Sequence, residues 1–294
     1  MNSCSFKRIY SQIPILRELI QLREYLRILT ESNAAATIRL LDFGLETHPR
    51  YSDPLRLLRY ASQVCSQNGE DGMIREIFRR IGVRYHTFAE VGVGNGGENN
   101  TAFLLSQGWT GVWLDGATDF LETISRRPDL HAGIRGKGCF VNKENIAALF
   151  EELGVDQEFD LLSLDIDQNT YYAWDGLRDF RPRVVVVEYN SCLPADLDWK
   201  VNYDPLRTWD GSNNFGASLK AFEKLGENLG YKLVGCDFIG SNAFFVREDL
   251  VEDKFAAPFT AENHHEPPRF PLVHRRGRPS AILDRAIESP SRGL

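Results

Sequence analysis

Cysteine is scarce in this sequence, which has five in 294 residues, at positions 4, 65, 139, 192 and 236. No two of them form a C-x-x-C pair, so the usual zinc-ligand spacing is absent. An odd, scattered set also argues against a disulfide framework and is typical of a reducing compartment. No apolar run reaches the roughly 18 residues of a membrane span, and no apolar signal core is present. These absences predict a cytoplasmic protein without a membrane span.

Basic residues are fewer than acidic residues in this sequence. Lysine and arginine number 34 against 41 acidic residues, for a net charge of -7. Proteins that bind nucleic acids in general usually carry a basic face, so the composition predicts no nucleic-acid partner. The one locally basic stretch, "HRRGRPS" at 274–280, is typical of a solvated terminal segment.

The hydrophobic pattern divides the chain into three parts. Residues 1–60 carry leucines at helical spacing and predict an N-terminal helical extension, with one amphipathic helix from Pro14 and a second short helix over 34–46. This extension is expected to dock on the main domain or on another subunit, as in a homo-oligomer; a membrane-surface helix is the alternative. Residues 61–250 form the main domain. Residues 251–294 are predicted to be a wrapping or partly disordered tail.

Strands and helices alternate through the main domain. Short apolar runs, the most continuous being "PRVVVVEYN", are separated by single helical patterns. Such runs are typical of central parallel strands, and the alternation predicts a doubly wound, Rossmann-like α/β sheet. "GKGCFVN" at 136–142 is a weaker third strand. After a long polar segment at 191–214, a helix and two strands joined at Gly240 and Ser241 predict a C-terminal antiparallel β-hairpin.

The loop after the first strand is rich in glycine and reads "EVGVGNGGENNT" over 90–101. Glycine lets the backbone approach a ligand closely. Asp115 ends the second strand 21 residues beyond Gly94, the usual interval for an acid that binds ribose hydroxyls. An adenosine-type ligand is therefore predicted. The loop also fits the G-x-G-x-x-G spacing of a dinucleotide site, but Glu90 would repel a pyrophosphate and suit a cationic amino-acid group.

The sequence resembles the class I S-adenosylmethionine-dependent methyltransferases, in particular the FkbM-like O-methyltransferases of sugar and polysaccharide pathways. The similar segments, in chain order, are "SQNGEDG", "EVGVGNGGENNT", "GWTGVWLDG", "DLLSLDIDQNTYYAW", "PRVVVVEYN", "FGASL" and "GYKLVGCDFIGSNAFFVREDL". The resemblance implies the Rossmann-like methyltransferase fold and S-adenosylmethionine as cofactor. It also implies O-methylation of a sugar or small polar metabolite in carbohydrate biosynthesis.

The resemblance further implies which residues bind the cofactor. The loop after the first strand would surround its methionine portion, and the acid after the second strand would bind its ribose. The helix that precedes the first strand would cover the cofactor, unless Ser66 and Glu70 form a helix cap instead. The predicted cofactor-binding set is Gln67, Glu70, Glu90, Gly92, Gly94, Asn99, Asp115 and Asp165.

O-methyl transfer also needs the acceptor hydroxyl to lose its proton, through a general base or through a divalent metal that lowers the hydroxyl pKa. Asp165 and Asp167 follow the fourth strand, and Glu188 and Asn190 follow the fifth. The three acids are the predicted catalytic residues. All four residues are predicted ligands of Mg²⁺ or Mn²⁺, because these metals prefer oxygen donors. The base and the metal remain alternatives.

One motif departs from the family pattern. Relatives tend to read "DIDGND" where this chain reads "DIDQNT", so Gln168 replaces a glycine and Thr170 an acid. Any role for a third carboxylate there is in doubt. This departure favours one rival hypothesis, a non-catalytic methyltransferase-like domain that binds a ligand or partner. An NAD-dependent Rossmann enzyme is a second rival, independent of this motif.

The polar segment at 191–214 is the predicted acceptor side, because aromatic faces stack on sugar rings. Packing of a lid against the sheet is the alternative. The candidates there are Trp199, Tyr203, Trp209, Asp210, Asn213 and Asn214.

The histidines carry no predicted chemistry. His86 is predicted to be structural, while His264 and His265 are predicted to be solvated tail residues rather than metal ligands.

Overall fold

The computed structural model describes residues 14–117, 119–125 and 133–270. It begins with one 34-residue helix, α1 (Pro14–Thr47), where the sequence predicted two. No proline or glycine interrupts residues 15–43, so nothing in the backbone ends the helix early. The side chains of residues 18–30 are all exposed. Along that stretch α1 is not docked on the main domain.

The remaining elements follow the predicted alternation of helix and strand. A short helix α2 (Pro49–Ser52) and a 3-10 turn (Leu58–Tyr60) lead into α3 (Glu70–Ile81). The elements that follow in chain order are β1 (Thr87–Val91), α4 (Ala102–Ser106), β2 (Thr110–Asp115), α5 (Phe120–Ser125), β3 (Ile134–Gly138), α6 (Ile146–Glu152), β4 (Leu161–Leu164), α7 (Thr170–Gly176), β5 (Val184–Glu188), α8 (Leu219–Leu229), β6 (Tyr231–Cys236), β7 (Asn242–Arg247), α9 (Glu248–Val251) and α10 (Ala261–His264).

The seven strands form one sheet in the order β3-β2-β1-β4-β5-β7-β6. The first five strands are parallel, and β7 runs antiparallel between β5 and β6. The predicted doubly wound sheet with a C-terminal antiparallel hairpin is confirmed. The sequence predicted β3 at 136–142, but the strand starts at Ile134 and ends at Gly138. Cys139–Val141 therefore follow the strand.

The core lies on both faces of the central strand β5. Val185 and Val187 pack into one hydrophobic cluster, and Val184 and Val186 into the other, each with no exposed surface. Burying a valine side chain contributes roughly 1.5–3 kcal/mol. A run of four valines buried on both faces fixes β5 as an interior strand and its carboxyl end as a rigid support.

The packed body extends beyond residues 61–250 on both sides. Leu57 is 1% exposed, and Phe255 and Phe270 are 2% and 5% exposed. Arg56 donates hydrogen bonds to the backbone and side-chain oxygens of Asn263 at 3.1 and 2.6 Å. The two flanking segments therefore close against each other. The predicted tail is ordered and packed as far as residue 270, and residues 271–294, with the basic stretch, lie outside the described residues.

Among the helices that the structure describes, none combines the length and the hydropathy needed to cross a membrane.

Candidate functional site

Two adjoining cavities lie at the carboxyl edge of the parallel strands, where doubly wound sheets bind ligands. The first, of about 250 Å³, is bounded by the β1 loop, the start of α3 and Asn242 of β7. The second, of about 200 Å³, lies over the ends of β2, β3 and β4. Gly92 and Asp165 line both cavities. An extended ligand can therefore occupy both, with its middle over these two residues.

Gly92 is where the chain leaves β1 and passes closest to β4. Its φ is +85°, and a Cβ atom placed there would lie 1.6 Å from the carbonyl oxygen of Asp165. Only glycine fits this left-handed, crowded position. The turn brings the β1 loop against the end of β4 and joins the two cavities.

Glu90 is buried beneath the loop and holds it in place. Its two carboxylate oxygens accept hydrogen bonds from the backbone N–H groups of Asn100 and Thr101, and from the side chains of Asn99, Thr101 and Ser163, at 2.5–3.1 Å. Burial raises the pKa of Glu90, and these hydrogen bonds oppose the rise. Glu90 lies in the wall of the first cavity, but five donors from the protein already surround its oxygens.

Asn99 is oriented by this network. Its Nδ2 donates to Glu90 at 2.6 Å and to Thr101 at 3.3 Å. The Oδ1 atom of Asn99 is buried without a hydrogen-bond partner, and the residue lines the first cavity. Buried polar atoms are almost always paired. The protein leaves this acceptor unsatisfied, and the atom itself has almost no surface exposed to the cavity.

The β1 loop is also tied to the end of β2. The N–H of Gly94 donates to one oxygen of Asp115 at 2.7 Å, and the N–H of Ala117 donates to the other at 2.7 Å. A Cβ atom at Gly94 would meet nothing within 4 Å. The predicted pair of a glycine loop and an acid-ended strand is thus brought together, with open space beside the glycine.

The start of helix α3 closes the first cavity. Ser66 precedes the N-cap residue Gly69 and pairs with Asp71: Ser66 Oγ accepts the N–H of Asp71 at 3.0 Å, and Asp71 accepts the N–H of Ser66 at 2.8 Å. Glu70 instead lines the cavity and accepts a 2.8 Å hydrogen bond from Asn242 Nδ2. Gln67 lies in the same wall. The sequence did not point to Asn242, which is 172 residues from Glu70 and reaches it only through the hairpin.

A further buried acid stands behind Glu70. Asp237 accepts the backbone N–H groups of Ile239 and Gly240 in the β6–β7 turn, at 2.8 and 3.0 Å. Burial and the nearby charge of Glu70 raise the pKa of Asp237 to about 7. Asp237 thus adds a buried acid behind Glu70, which lines the first cavity.

Three carboxylates meet where β4 and β5 end. One oxygen from each of Asp165, Asp167 and Glu188 lies within 4.8 Å of the others. Asp167 has a φ of +54°, a left-handed conformation that a non-glycine residue adopts at a cost. Spacing of this kind suits one divalent cation or one shared proton. The sequence predicted that these three residues would lie close together, and they do.

Asn190, the fourth predicted metal ligand, forms hydrogen bonds with the protein through both atoms of its amide. Its Nδ2 donates to the carbonyl oxygens of Asn213 and Phe215 at 2.8 and 3.0 Å, and its Oδ1 accepts the N–H of Cys192 at 3.2 Å. The amide is fully buried and holds the polar segment at 213–215 to the end of β5.

The two residues that depart from the family pattern have structural partners. Gln168 is buried and its Nε2 donates to the carbonyl oxygen of Asn214 at 3.2 Å. Thr170 Oγ1 accepts the N–H of Ile166 at 3.1 Å. Gln168 thus fastens the polar segment at Asn214, and Thr170 closes the turn that carries Asp167.

The second cavity combines apolar and polar walls. Phe140, Val141 and Ile166 supply the apolar part, and Asp115 and Asp167 the acidic part. Phe140 is 43% exposed and follows directly after β3. Phe140 was not among the predicted site residues, because those were chosen as acids at strand ends. Strand β3 ends at the same edge of the sheet as β2.

The two halves of the segment 191–214 differ: the first packs against the domain, and the second forms part of the wall of the second cavity. Trp199 is 4% exposed and packs with Leu193, Val201 and Tyr172, so the prediction that it faces an acceptor is wrong. Tyr203 hydrogen-bonds Glu144. Trp209 is 39% exposed and lines the second cavity beside Arg207 and Thr208. The lid alternative therefore holds for the first half of the segment.

Two of the described histidines, His86 and His264, have structural contacts. The ring of His86 packs edge-on against Trp109 with 5.4 Å between centroids. His264, predicted to be solvated, is 3% exposed, and its Nε2 lies 3.1 Å from the carbonyl oxygen of Ala256. Burial, followed by the charges of Arg56 and Arg50, lowers the pKa of His264 to about 3.

Comparison with known proteins gives likeness of fold only. No family model and no curated protein matches this chain. Three similar solved structures are the N-terminal domain of EvdMO1 with SAH bound, a SAM-dependent methyltransferase from Aquifex aeolicus, and the ribosomal protein L11 methylase from Lactobacillus delbrueckii subsp. bulgaricus. They are 15%, 12% and 14% identical, with TM-scores of 0.36, 0.36 and 0.38. The matches cover 62%, 66% and 63% of this chain and 80%, 94% and 82% of theirs. These similarities are too distant to identify the reaction. The reaction is therefore inferred from the residues of the site.

Proposed function

We propose that this protein is an S-adenosylmethionine-dependent methyltransferase that methylates a hydroxyl group of a sugar or small polar metabolite. The observation that carries this proposal is the charge of the first cavity. Its walls include four carboxylates, from Glu70, Glu90, Glu98 and Asp165, and none of its described lining residues is lysine or arginine. Such a cavity favours a cationic ligand group and disfavours a pyrophosphate.

The methionine end of the cofactor fits the first cavity. Its ammonium group has three donors, and the carboxylates of Glu70 and Glu98 in the cavity wall offer acceptors. The open space beside Gly94 admits close approach to the loop backbone. Glu90 acts indirectly in this proposal: its hydrogen bonds to Asn99, Asn100 and Thr101 hold the loop that forms one wall of the cavity. Gln67 and Glu70 cover the same end from α3.

The adenosine end fits the second cavity. Asp115 stands at its entrance from the β1 loop, where a carboxylate accepts hydrogen bonds from ribose hydroxyls. Phe140, Val141 and Ile166 give an apolar surface for the base. Aromatic rings stack favourably on nucleobases. The two cavities together thus match a ligand that is cationic at one end and flat and apolar at the other.

When bound, the cofactor supplies an electrophilic methyl group on its sulfonium sulfur. The residues of this chain act on the other reactant. A carboxylate of the Asp165, Asp167 and Glu188 cluster takes up the acceptor hydroxyl proton, or the cluster holds a divalent cation that lowers the hydroxyl pKa. The deprotonated acceptor oxygen would be the nucleophile for that methyl group, with S-adenosylhomocysteine as the second product. Trp209, beside Arg207 at the rim, offers an aromatic face for a sugar ring.

Calorimetric titration tests the cofactor. We expect S-adenosylhomocysteine and S-adenosylmethionine to bind with micromolar affinity, and NAD not to bind. Asp115→Asn should weaken S-adenosylhomocysteine by at least tenfold, because it removes a charged acceptor. Asp156→Asn, at an exposed position outside both cavities, is the matched control. Binding of NAD with no binding of either sulfur compound would replace this proposal with the Rossmann dehydrogenase alternative.

Chelation separates the metal from the base. If a cation is used, chelator abolishes turnover, Mg²⁺ restores it, and Mn²⁺ binding followed by electron paramagnetic resonance is lost in Asp167→Asn. If a carboxylate is the base, turnover survives chelation, while Asp167→Asn or Glu188→Gln reduces it with cofactor affinity unchanged. Cofactor binding without release of S-adenosylhomocysteine across a panel of sugars and polar metabolites would favour the non-catalytic alternative.

A further inference from the structure

We propose that helix α1 is a dimerisation element that pairs with α1 of a second copy of this chain as a parallel, two-stranded coiled coil. Four leucines form a stripe along it: Leu19, Leu22, Leu26 and Leu29, spaced alternately by three and four residues. Each is between 54% and 60% exposed. This spacing places them at the a and d positions of a heptad, the seam of a coiled coil.

The heptad extends well beyond these leucines. In the sequence it continues back to Ile15 and forward through Ala36 to Leu40 and Phe43. That range covers about four heptads, the length at which a heptad pattern indicates a stable coiled coil. A helix of 34 residues is about 50 Å long. The seam is therefore long enough to hold two chains together without further contacts.

One polar residue interrupts the seam. Asn33 occupies an a position and is exposed. A single asparagine at an a position pairs with its counterpart across the seam, and it sets both the register and the two-stranded state at some cost in stability. An asparagine in that place favours a second copy of the same helix, in register, over an unrelated apolar surface.

One charged pair beside the seam is complementary between parallel copies, while the other e and g positions within residues 18–33 hold Tyr25, Thr30 and Ser32. Glu18 falls at a g position and Arg23 at the e position of the next heptad, the two places that face each other across a parallel pair. Glu24 and Arg27 lie on the outer face and bond to each other within one helix. Residues 18–33 hold three glutamates and two arginines. A membrane-surface helix would instead carry a basic polar face.

Two exposed isoleucines lie off the seam and offer a matched control. Ile28 is 51% exposed, against 55% for Leu26, but it falls at a c position, away from a partner helix. Sedimentation equilibrium of the full chain should give twice the 33.4 kDa mass of one copy at micromolar concentration. Leu26→Asp should reduce dimer affinity by at least a hundredfold, whereas Ile28→Asp should leave the dimer intact. Near-ultraviolet circular dichroism confirms that both variants remain folded.

Cysteine cross-linking tests the parallel register. Leu29 occupies a d position, where parallel helices bring identical residues together. Leu29→Cys should cross-link the two copies under mild oxidation, and Ile28→Cys, with the same native cysteines, should not.

Three results would overturn the proposal. These are a wild-type monomer, a dimer that persists in Leu26→Asp, or a dimer that Leu29→Cys fails to cross-link. A monomer that binds vesicles containing phosphatidylserine would assign α1 to a membrane surface instead.

Discussion

At the scale of the residue, Gly92 tolerates the least change. Gly92→Ala would combine a left-handed backbone with a methyl group 1.6 Å from the oxygen of Asp165. We expect a loss of stability on the order of 3 kcal/mol, because the backbone strain and the overpacking add. S-adenosylhomocysteine binding should be lost with it. Thermal unfolding and calorimetry measure the two effects.

Gly94→Ala is the control for that substitution. Gly94 also has a positive φ, +61°, but a Cβ atom there meets nothing within 4 Å. The strain alone costs about 1 kcal/mol. If Gly92→Ala were no more damaging than Gly94→Ala, the close contact between the β1 loop and β4 would not exist in solution.

His264 should make the fold sensitive to acid. Its pKa of about 3 in the fold lies below the ordinary histidine value near 6.5, so the unfolded chain binds a proton that the folded chain excludes. The stability that neutral His264 gives is complete above about pH 6.5 and declines as the pH falls toward 3, by up to about 1.4 kcal/mol per pH unit.

Urea unfolding at pH 7, 6 and 5 measures this slope. His264→Gln keeps a side-chain N–H for Ala256 and should give a shallower decline than the wild type. His48→Gln alters an exposed histidine and should retain the wild-type slope. Equal slopes in all three proteins would show that His264 does not titrate on unfolding.

At the scale of the element, the β1 loop depends on one carboxylate. Glu90→Gln replaces an acceptor oxygen with an NH₂ group facing N–H and O–H donors from Asn99, Thr101 or Ser163. An unsatisfied buried donor costs about 1–3 kcal/mol. We expect the loop to loosen and S-adenosylhomocysteine affinity to fall at least tenfold. Hydrogen exchange of the Asn100 and Thr101 amides reports the loosening directly.

Glu98→Gln provides the comparison. Glu98 lines the same cavity but is exposed, so the change removes one charge without an unsatisfied group. The Asn100 and Thr101 amides should keep their protection in this variant. Faster exchange in both variants would mean that cavity charge, and not the Glu90 hydrogen bonds, holds the loop.

The elements also differ in how well the sequence predicts them. Strand β5 was evident because four consecutive valines suit only a strand covered on both faces. Strand β3 was misplaced because its residues, Ile134–Gly138, are all at least partly exposed at the sheet edge and include two glycines. Helix α1 was predicted as two helices, but Ser32 and Asn33 lie within one continuous helix. Both residues lower helix propensity only slightly, and the helix continues through them.

The site was predictable where chain order and space coincide. Parallel strands end at one edge, so the grouping of Asp165, Asp167 and Glu188 followed from the pattern of strands alone. Asn242 and the burial of Trp199 depend on how the hairpin and the polar segment pack, which no local pattern encodes. Glu90 was predicted at the right place, but its hydrogen bonds to Asn99, Thr101 and Ser163 could not be read from its spacing.

At the scale of the whole molecule, ligand binding and α1 are separate. All residues that line the two cavities lie between Gln67 and Asn242. A chain that begins at His48 keeps the contacts of Arg56 with Asn263. It should bind S-adenosylhomocysteine within about twofold of the full chain. A large loss of affinity in calorimetry would mean that α1 supports the site, against the arrangement of the cavities.

The junction of the two cavities at Gly92 and Asp165 has a kinetic consequence for the proposed reaction. A ligand that spans both cavities is bound at two ends. When one end dissociates, the bound end keeps it near its own cavity, at a millimolar effective concentration. Methionine or adenosine alone would lack this advantage. S-adenosylhomocysteine, which retains both halves after the methyl group has left, would keep it. In the proposed reaction, the division that holds the cofactor would therefore also favour inhibition by the product.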